Sequence, residues 1–168
     1  MSKGFSLDVE RCTGCYACVV ACYDQNDLEG RVASDAWRQV FAVEDGAFPE
    51  ARLSYVSLAC QHCAGAPCVG VCPSGALHRS SAPDSVVVDR SLCIGCHLCS
   101  VACPFGVPRY GADGRMHKCD LCGARVEAGL EPACVRACPT RALRYGEEGE
   151  LARETGQRVA RRLAEPQG

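Results

Sequence analysis

The residues of this chain best placed to do chemistry are its sixteen cysteines, and they are grouped. Four runs account for all of them: Cys12, Cys15, Cys18, Cys22; Cys60, Cys63, Cys68, Cys72; Cys93, Cys96, Cys99, Cys103; and Cys119, Cys122, Cys134, Cys138. In the third run, three cysteines stand three residues apart and a fourth follows four positions later, ahead of Pro104. Three thiolates on one tight loop reach three corners of an iron–sulfur cubane, and the fourth corner must be supplied from elsewhere. In runs of this form the fourth cysteine ligates the other cluster of a pair. Cys72-Pro73 and Cys138-Pro139 close the second and fourth runs in the same way, whereas Tyr23 follows Cys22, so the first run departs from the rule.

Other uses of cysteine fit less well. A secreted disulfide framework calls for a signal peptide, and the opening MSKGFSLDVERC contains no apolar segment of that kind. A zinc site closes on four ligands, usually from two separated C-x-x-C pairs, and not on runs of four with a trailing proline. Cys93-Ile94-Gly95-Cys96-His97 matches a haem-attachment motif, but the run continues through Cys99 and Cys103-Pro104, so His97 is read as incidental. Cysteine at each of Cys93, Cys96 and Cys99 argues against a three-iron cluster there. The spacing therefore predicts four [4Fe-4S] clusters with all sixteen cysteines as iron ligands. No nucleophile–base–acid set stands out, so the chain is expected not to be an enzyme by itself.

Composition agrees. Only 6% of the residues are aromatic, which predicts a small hydrophobic core stabilised by metal. The formal charge of −2 counts the cysteines as neutral. With sixteen thiolates and four oxidised cubane cores, the assembled protein carries about −10, which excludes nucleic acid as a natural partner. No apolar stretch approaches the ~20 residues that span a bilayer.

The elements that must position these cysteines are short. Phe5 to Val9 reads as a strand leading into the first run, and residues 17–26 as a helix following it. Gln39 to Val43 and Leu53 to Leu58 form a hairpin around Glu44, Asp45, Gly46 and Pro49. This hairpin either covers clusters or offers a docking surface. Gly65, Ala66 and Pro67 widen the second run. Val86, Val87 and Val88 read as a strand. GARVEAGLEPA separates Cys122 from Cys134 as an exposed excursion, and Ala142 to Tyr145 is a closing strand that partners the one near Phe5. Residues 147–164 read as a helix with an apolar stripe of Leu151, Thr155, Val159 and Leu163. Glu147, Glu148 and Glu150 at its start and Arg158, Arg161 and Arg162 at its end suit the helix dipole. It is expected to cap the core or to contact another subunit.

The connector from Cys72-Pro73 to Cys93 has the character of the link within one two-cluster ferredoxin, which pairs the second run with the third and leaves the first for the fourth. Cross-ligation then groups Cys60, Cys63, Cys68 with Cys103, and Cys93, Cys96, Cys99 with Cys72. It likewise groups Cys12, Cys15, Cys18 with Cys138, and Cys119, Cys122, Cys134 with Cys22. The expected fold class is α+β: two interleaved bacterial-ferredoxin-like halves around four [4Fe-4S] clusters, plus a C-terminal helix. The outer half comprises 1–30 with 113–150, the inserted half 31–112, and the C-terminal helix and tail 147–168.

Between about Ser6 and Gly146, the motifs RCTGC, C-x-x-C-x4-C-x3-CPSGAL, VVVD, CIGC, ACPFG, HKCD and ACPTRAL occur in order. In this the chain resembles the iron–sulfur beta subunits of the dimethyl sulfoxide reductase family of molybdenum and tungsten bis-pterin enzymes. The resemblance implies the same pairing of runs. It also implies an electron-transfer subunit between a large molybdenum or tungsten pterin catalytic subunit and a second redox partner, a flavoprotein or a membrane quinone subunit. The alternative is a free soluble polyferredoxin serving several oxidoreductases. Unlike several family members, the sequence shows no membrane anchor, so a cytoplasmic complex is expected, with a periplasmic location alongside a signal-bearing partner as the alternative. Lys118, Arg136 and Arg141 lie beside ligand cysteines, and are either charges that raise a cluster potential or solvated surface charges.

Overall fold

The computed structural model describes residues 3–28, 36–81 and 84–164. Its strands form four separate two-stranded antiparallel sheets. β1 (Lys3–Leu7) pairs with β8 (Leu143–Glu147), β2 (Gln39–Asp45) with β3 (Arg52–Leu58), β4 (Leu77–Ser81) with β5 (Asp84–Val88), and β6 (Arg109–Tyr110) with β7 (Met116–His117). The helices are α1 (Ala17–Gln25), α2 (Pro67–Gly70), α3 (Leu98–Ala102), α4 (Gly123–Glu127), α5 (Ala133–Arg136) and α6 (Glu148–Ala164). No sheet is wide enough to supply a core. The buried apolar residues instead gather in three clusters, each of which contains cysteine side chains.

The two ends of the chain meet through β1 and β8, with Phe5 opposite Tyr145 and Leu7 opposite Leu143. The first strand ends sooner than the expected Phe5 to Val9. The Asp8 carboxylate accepts from the Glu10 N–H at 3.2 Å and turns Val9–Arg11 into a 3-10 helix, so Val9 leaves the strand. The hairpin forms as read, and each of its strands is longer than expected, extending to Asp45 and beginning at Arg52. The valine run is strand β5, but its partner β4 was not anticipated. LHRSS has one large apolar residue, and pairing with a strong neighbour makes it a strand. The β6–β7 pair is too short to show a period. The excursion between Cys122 and Cys134 exposes residues 127–131, yet it also holds the single turn of α4.

Helix α6 forms over nearly its expected length, with Glu148 and Glu150 in its first turn and Arg161 and Arg162 in its last. Its docking face differs from the expected stripe. A strict four-residue repeat drifts about 40° per step around a helix of 3.6 residues per turn. Leu151 and Thr155 are accordingly half-buried, while Val159 and Leu163 are 48% and 78% exposed. The face continues instead through Arg158, which pairs with Asp8 at 3.3 Å, and Arg162, which pairs with Glu10. Arg144 of β8 pairs with Glu154 at 3.0 Å. The helix thus rests on β1, β8 and the turn after β1. Among the described residues no helix is long and apolar enough to cross a membrane. The expected boundary between residues 30 and 31, and the tail 165–168, lie outside the described residues.

Leu151→Glu is expected to destabilise the docked helix by about 1 kcal/mol, the value of a partly buried leucine, and Leu163→Glu to leave it unchanged. Limited proteolysis should release α6 faster from the first variant only.

Candidate metal centre

The cysteine loops come in two local designs, each used twice. In the first and third runs, Gly14 and Gly95 have φ of 64° and 67°, and Tyr16 and His97 follow in the left-handed region at 60° and 61° before α1 and α3 begin. Glycine is needed on two counts at Gly14 and Gly95. Beyond the positive φ, a Cβ at Gly14 would sit 2.5 Å from the Tyr55 ring, and one at Gly95 would sit 2.8 Å from the Gly114 carbonyl oxygen. In the second and fourth runs, His62 and Leu121 hold equivalent places, both buried and at φ of 47° and 64°. Each of these runs closes on the same turn, Cys72-Pro73-Ser74-Gly75 and Cys138-Pro139-Thr140-Arg141, with Gly75 and Arg141 both at positive φ. The Ser74 and Thr140 hydroxyls lie 3.7 Å from the Cys72 and Cys138 sulfurs. Setting CPSGAL over CPTRAL in the sequence exposes this repeat, a signal the sequence reading did not use.

Four cysteines from two runs line each of two cavities. One has Cys72, Cys93, Cys96 and Cys99 in its wall. The other has Cys60, Cys63, Cys68 and Cys103, with Lys118 beside them. The remaining eight come from the first and fourth runs. Cys18, Cys134 and Cys138 share one apolar cluster, and Cys12 acts electrostatically on Cys18. Cys22 is within electrostatic reach of Cys122 and Cys134, and Cys119 of Cys22 and Cys134. Among the described residues no three His, Cys, Asp or Glu side chains converge on a single-ion position. In the two cavities the four thiols instead stand around a shared volume, as a multi-iron group requires.

The electrostatics divide the thiols. Burial, then the neighbouring Cys134, pushes Cys22 up to about 12, and burial raises Cys119 far above the ordinary thiol value. Left alone, both stay protonated. A coordinated metal reverses this, since its charge deprotonates a ligating thiol outright. Burial also raises Cys72 and Cys138. There, backbone N–H groups from Leu77 and Leu143, with the Ser74 and Thr140 hydroxyls, outweigh it and bring both below the usual range. Such donors favour negative charge on sulfur, the condition of an iron ligand. The donor set therefore fits iron–sulfur clusters: sulfur ligands, pre-set N–H groups, and low-dielectric surroundings.

Of the three cations singled out in the sequence, two are surface charges: Arg136 and Arg141 are exposed. Lys118 is buried, and its ammonium donates to the carbonyls of Val86 and of Cys119, the latter at 2.9 Å. The sequence reading missed Arg38, which is 2% exposed. A lone arginine beside a strand carries no motif, so nothing marked it. His97, the apparent haem ligand, stacks on Tyr110 with ring centroids 3.8 Å apart. The Tyr110 hydroxyl lies 3.1 Å from the Cys99 sulfur and 2.8 Å from the Ser100 hydroxyl.

Comparison with known proteins places these features in a family. The 4Fe-4S dicluster domain matches residues 51–148, and a 4Fe-4S binding domain matches residues 9–23. The chain is 42% identical to the probable anaerobic dimethyl sulfoxide reductase protein YnfG of Escherichia coli K12, over 94% of this chain and 79% of that one. It is 41% identical to the B subunit of the anaerobic dimethyl sulfoxide reductase of Haemophilus influenzae, over 94% of this chain and 80% of the relative. The thiosulfate reductase electron transfer subunit PhsB of Salmonella typhi is 44% identical, over 94% and 83%.

A hydroxyl donating to a ligand sulfur stabilises the reduced state of its cluster. Tyr110→Phe is expected to lower the midpoint potential of one cluster by up to about 59 mV, at most a tenfold change for a one-electron couple, and to leave the others in place. An EPR-monitored redox titration measures it.

Proposed function

The chain belongs to the iron–sulfur beta subunits of the dimethyl sulfoxide reductase family, and from that membership we propose that it carries electrons through four [4Fe-4S] clusters between a molybdenum or tungsten pterin catalytic subunit and a second redox partner. The cysteine sets are those of the cross-ligated runs. Contacts between them support a linear order. The set of Cys72, Cys93, Cys96 and Cys99 meets that of Cys60, Cys63, Cys68 and Cys103 through one apolar cluster that includes Cys68, Cys72, Cys93 and Cys99. Cys60 and Cys103 pack with Cys119 in the next, and Cys134 packs with Cys18 and Cys138 in the last. The two halves are accordingly interleaved, the outer one closed by the β1–β8 pair.

One observation carries the wiring role. Of the sixteen cysteines only Cys15 and Cys96 are exposed, and they fall in the two terminal sets of this order. All four cysteines of the Cys22, Cys119, Cys122, Cys134 set are buried. A path with two open ends and a covered middle suits electrons that enter at one end and leave at the other. Apolar side chains stand exposed at both ends: Val20 (66%) and Tyr16 (48%) near Cys15, and Val101 (86%) and Ile94 (68%) near Cys96. Val20 and Val101 occupy equivalent places in the first and third runs, and such surface beside a cluster suits a docked subunit.

Anaerobic native pull-down on this chain tests the role. The expected result is a co-eluting large subunit that contains molybdenum or tungsten. A brown chain eluting alone, with full iron, would favour the free polyferredoxin. The pairing has its own check. Cys72→Ser and Cys93→Ser should alter the same EPR signal, and Cys103→Ser the signal altered by Cys60→Ser. Signals that follow each run separately would contradict the cross-ligated assignment.

A further inference from the structure

Arg38 is 2% exposed and takes part in none of the ion pairs among the described residues. Its Nη1 donates to the Ser57 hydroxyl at 3.2 Å and reaches the Ser57 carbonyl at 3.5 Å. The guanidinium carbon lies 4.6 Å from the Phe5 ring centroid. Nε and Nη2, both buried, have no oxygen or nitrogen partner. A buried cation without a counter-charge costs several kcal/mol, and among the described residues no carboxylate pairs with this one. What surrounds it is sulfur. The side chain reaches the Cys134 thiol within hydrogen-bonding distance, Cys119 and Cys18 are its next charged neighbours, and the Arg38 backbone N–H is directed at Cys22. Ser57 ties the same point to the first run, with its hydroxyl 3.4 Å from the Cys18 sulfur.

We propose that Arg38 is the fixed counter-charge of the cluster held by Cys22, Cys119, Cys122 and Cys134, and that it sets that cluster's reduction potential. This rests on the cysteine sets assigned above. A [4Fe-4S] core with four thiolates is a dianion when oxidised and gains one more negative charge on reduction. A guanidinium that keeps its charge, is clamped by Ser57 and is shielded from solvent favours the more negative state. The three N–H groups on Nε and Nη2 remain available to the sulfurs, among which Cys134 is within reach of the side chain. Lysine at this place would keep the charge without the planar fork. Lys118 is the corresponding buried cation at the next cavity along, but there both of its described donor contacts are to carbonyls. Arg38 differs in keeping two buried nitrogens, Nε and Nη2, with no oxygen or nitrogen partner.

The test is an EPR-monitored titration of the intact complex with dithionite, comparing wild type, Arg38→Met and Arg38→Lys at matched iron content. In Arg38→Met, the cluster whose signal is lost in Cys119→Ser should shift its oxidised-to-reduced ratio at least tenfold toward oxidised, about 59 mV downward for one electron. Arg38→Lys should restore most of that shift. An unchanged midpoint in Arg38→Met, or an equal shift in both variants, would overturn the proposal, since packing rather than charge would then be responsible. If Arg38→Met fails to retain iron, wild-type protein labelled with 15N-arginine decides. A nitrogen coupling to one reduced cluster, absent from Arg38→Lys, supports the assignment, and no such coupling to any cluster overturns it. A Cys119→Ser variant with every cluster signal intact would instead fault the cysteine assignment on which the proposal rests.

Discussion

A cubane has four irons to ligate, and a tight C-x-x-C-x-x-C loop presents three sulfurs. That shortfall of one is the constraint on which this structure depends. In the cross-ligated arrangement proposed above, that sulfur comes from another run, so distant segments have to be held together before a cluster can close. The β1–β8 pair does this for the chain's two ends, with Leu7 opposite Leu143 five residues ahead of Cys12 and five beyond Cys138. The β4–β5 pair does it between Cys72 and Cys93. Four two-stranded sheets are weak as independent folding units. Their work is to set the separation of cysteine loops, while metal–sulfur bonds replace the missing core.

The same economy governs charge. Thiolates and cluster cores make the loaded protein an anion inside as well as outside, so its interior tolerates cations that an ordinary core would reject. Lys118 and Arg38 are 3% and 2% exposed, respectively. His62 is buried beside Lys118, its Nδ1 accepts from the Val86 N–H at 3.1 Å, and burial, then Lys118, holds it down to about 3, so it stays neutral. Leucine fills the equivalent place at Leu121, which marks His62 as a packing residue with one hydrogen bond to make.

Elements with a strong local signal were legible in the sequence. The hairpin of β2 and β3, helix α1, helix α6 and the meeting of the two chain ends all follow from alternation, acidic and basic termini, or run pairing. What failed had a physical cause in each case. Strand β4 borrows its extended form from β5, and Val9 yields to the Asp8 cap. The α6 stripe was read at period four, when 3.6 brings Arg158 and Arg162 to the contact face in place of Val159 and Leu163. Charge was the least legible feature. Three cations adjacent to cysteines looked equivalent in sequence, yet only Lys118 points inward. Arg38 lies twenty residues from its neighbour Cys18, and only the fold brings the two together.

Iron and acid-labile sulfide counted per chain in the anaerobically purified protein test the central claim most directly. About sixteen of each is the predicted result, four cubanes on sixteen cysteines. About eight of each would leave half the cysteines without a cluster and contradict the four-cluster path. Zinc in place of iron would contradict the electron-transfer role itself.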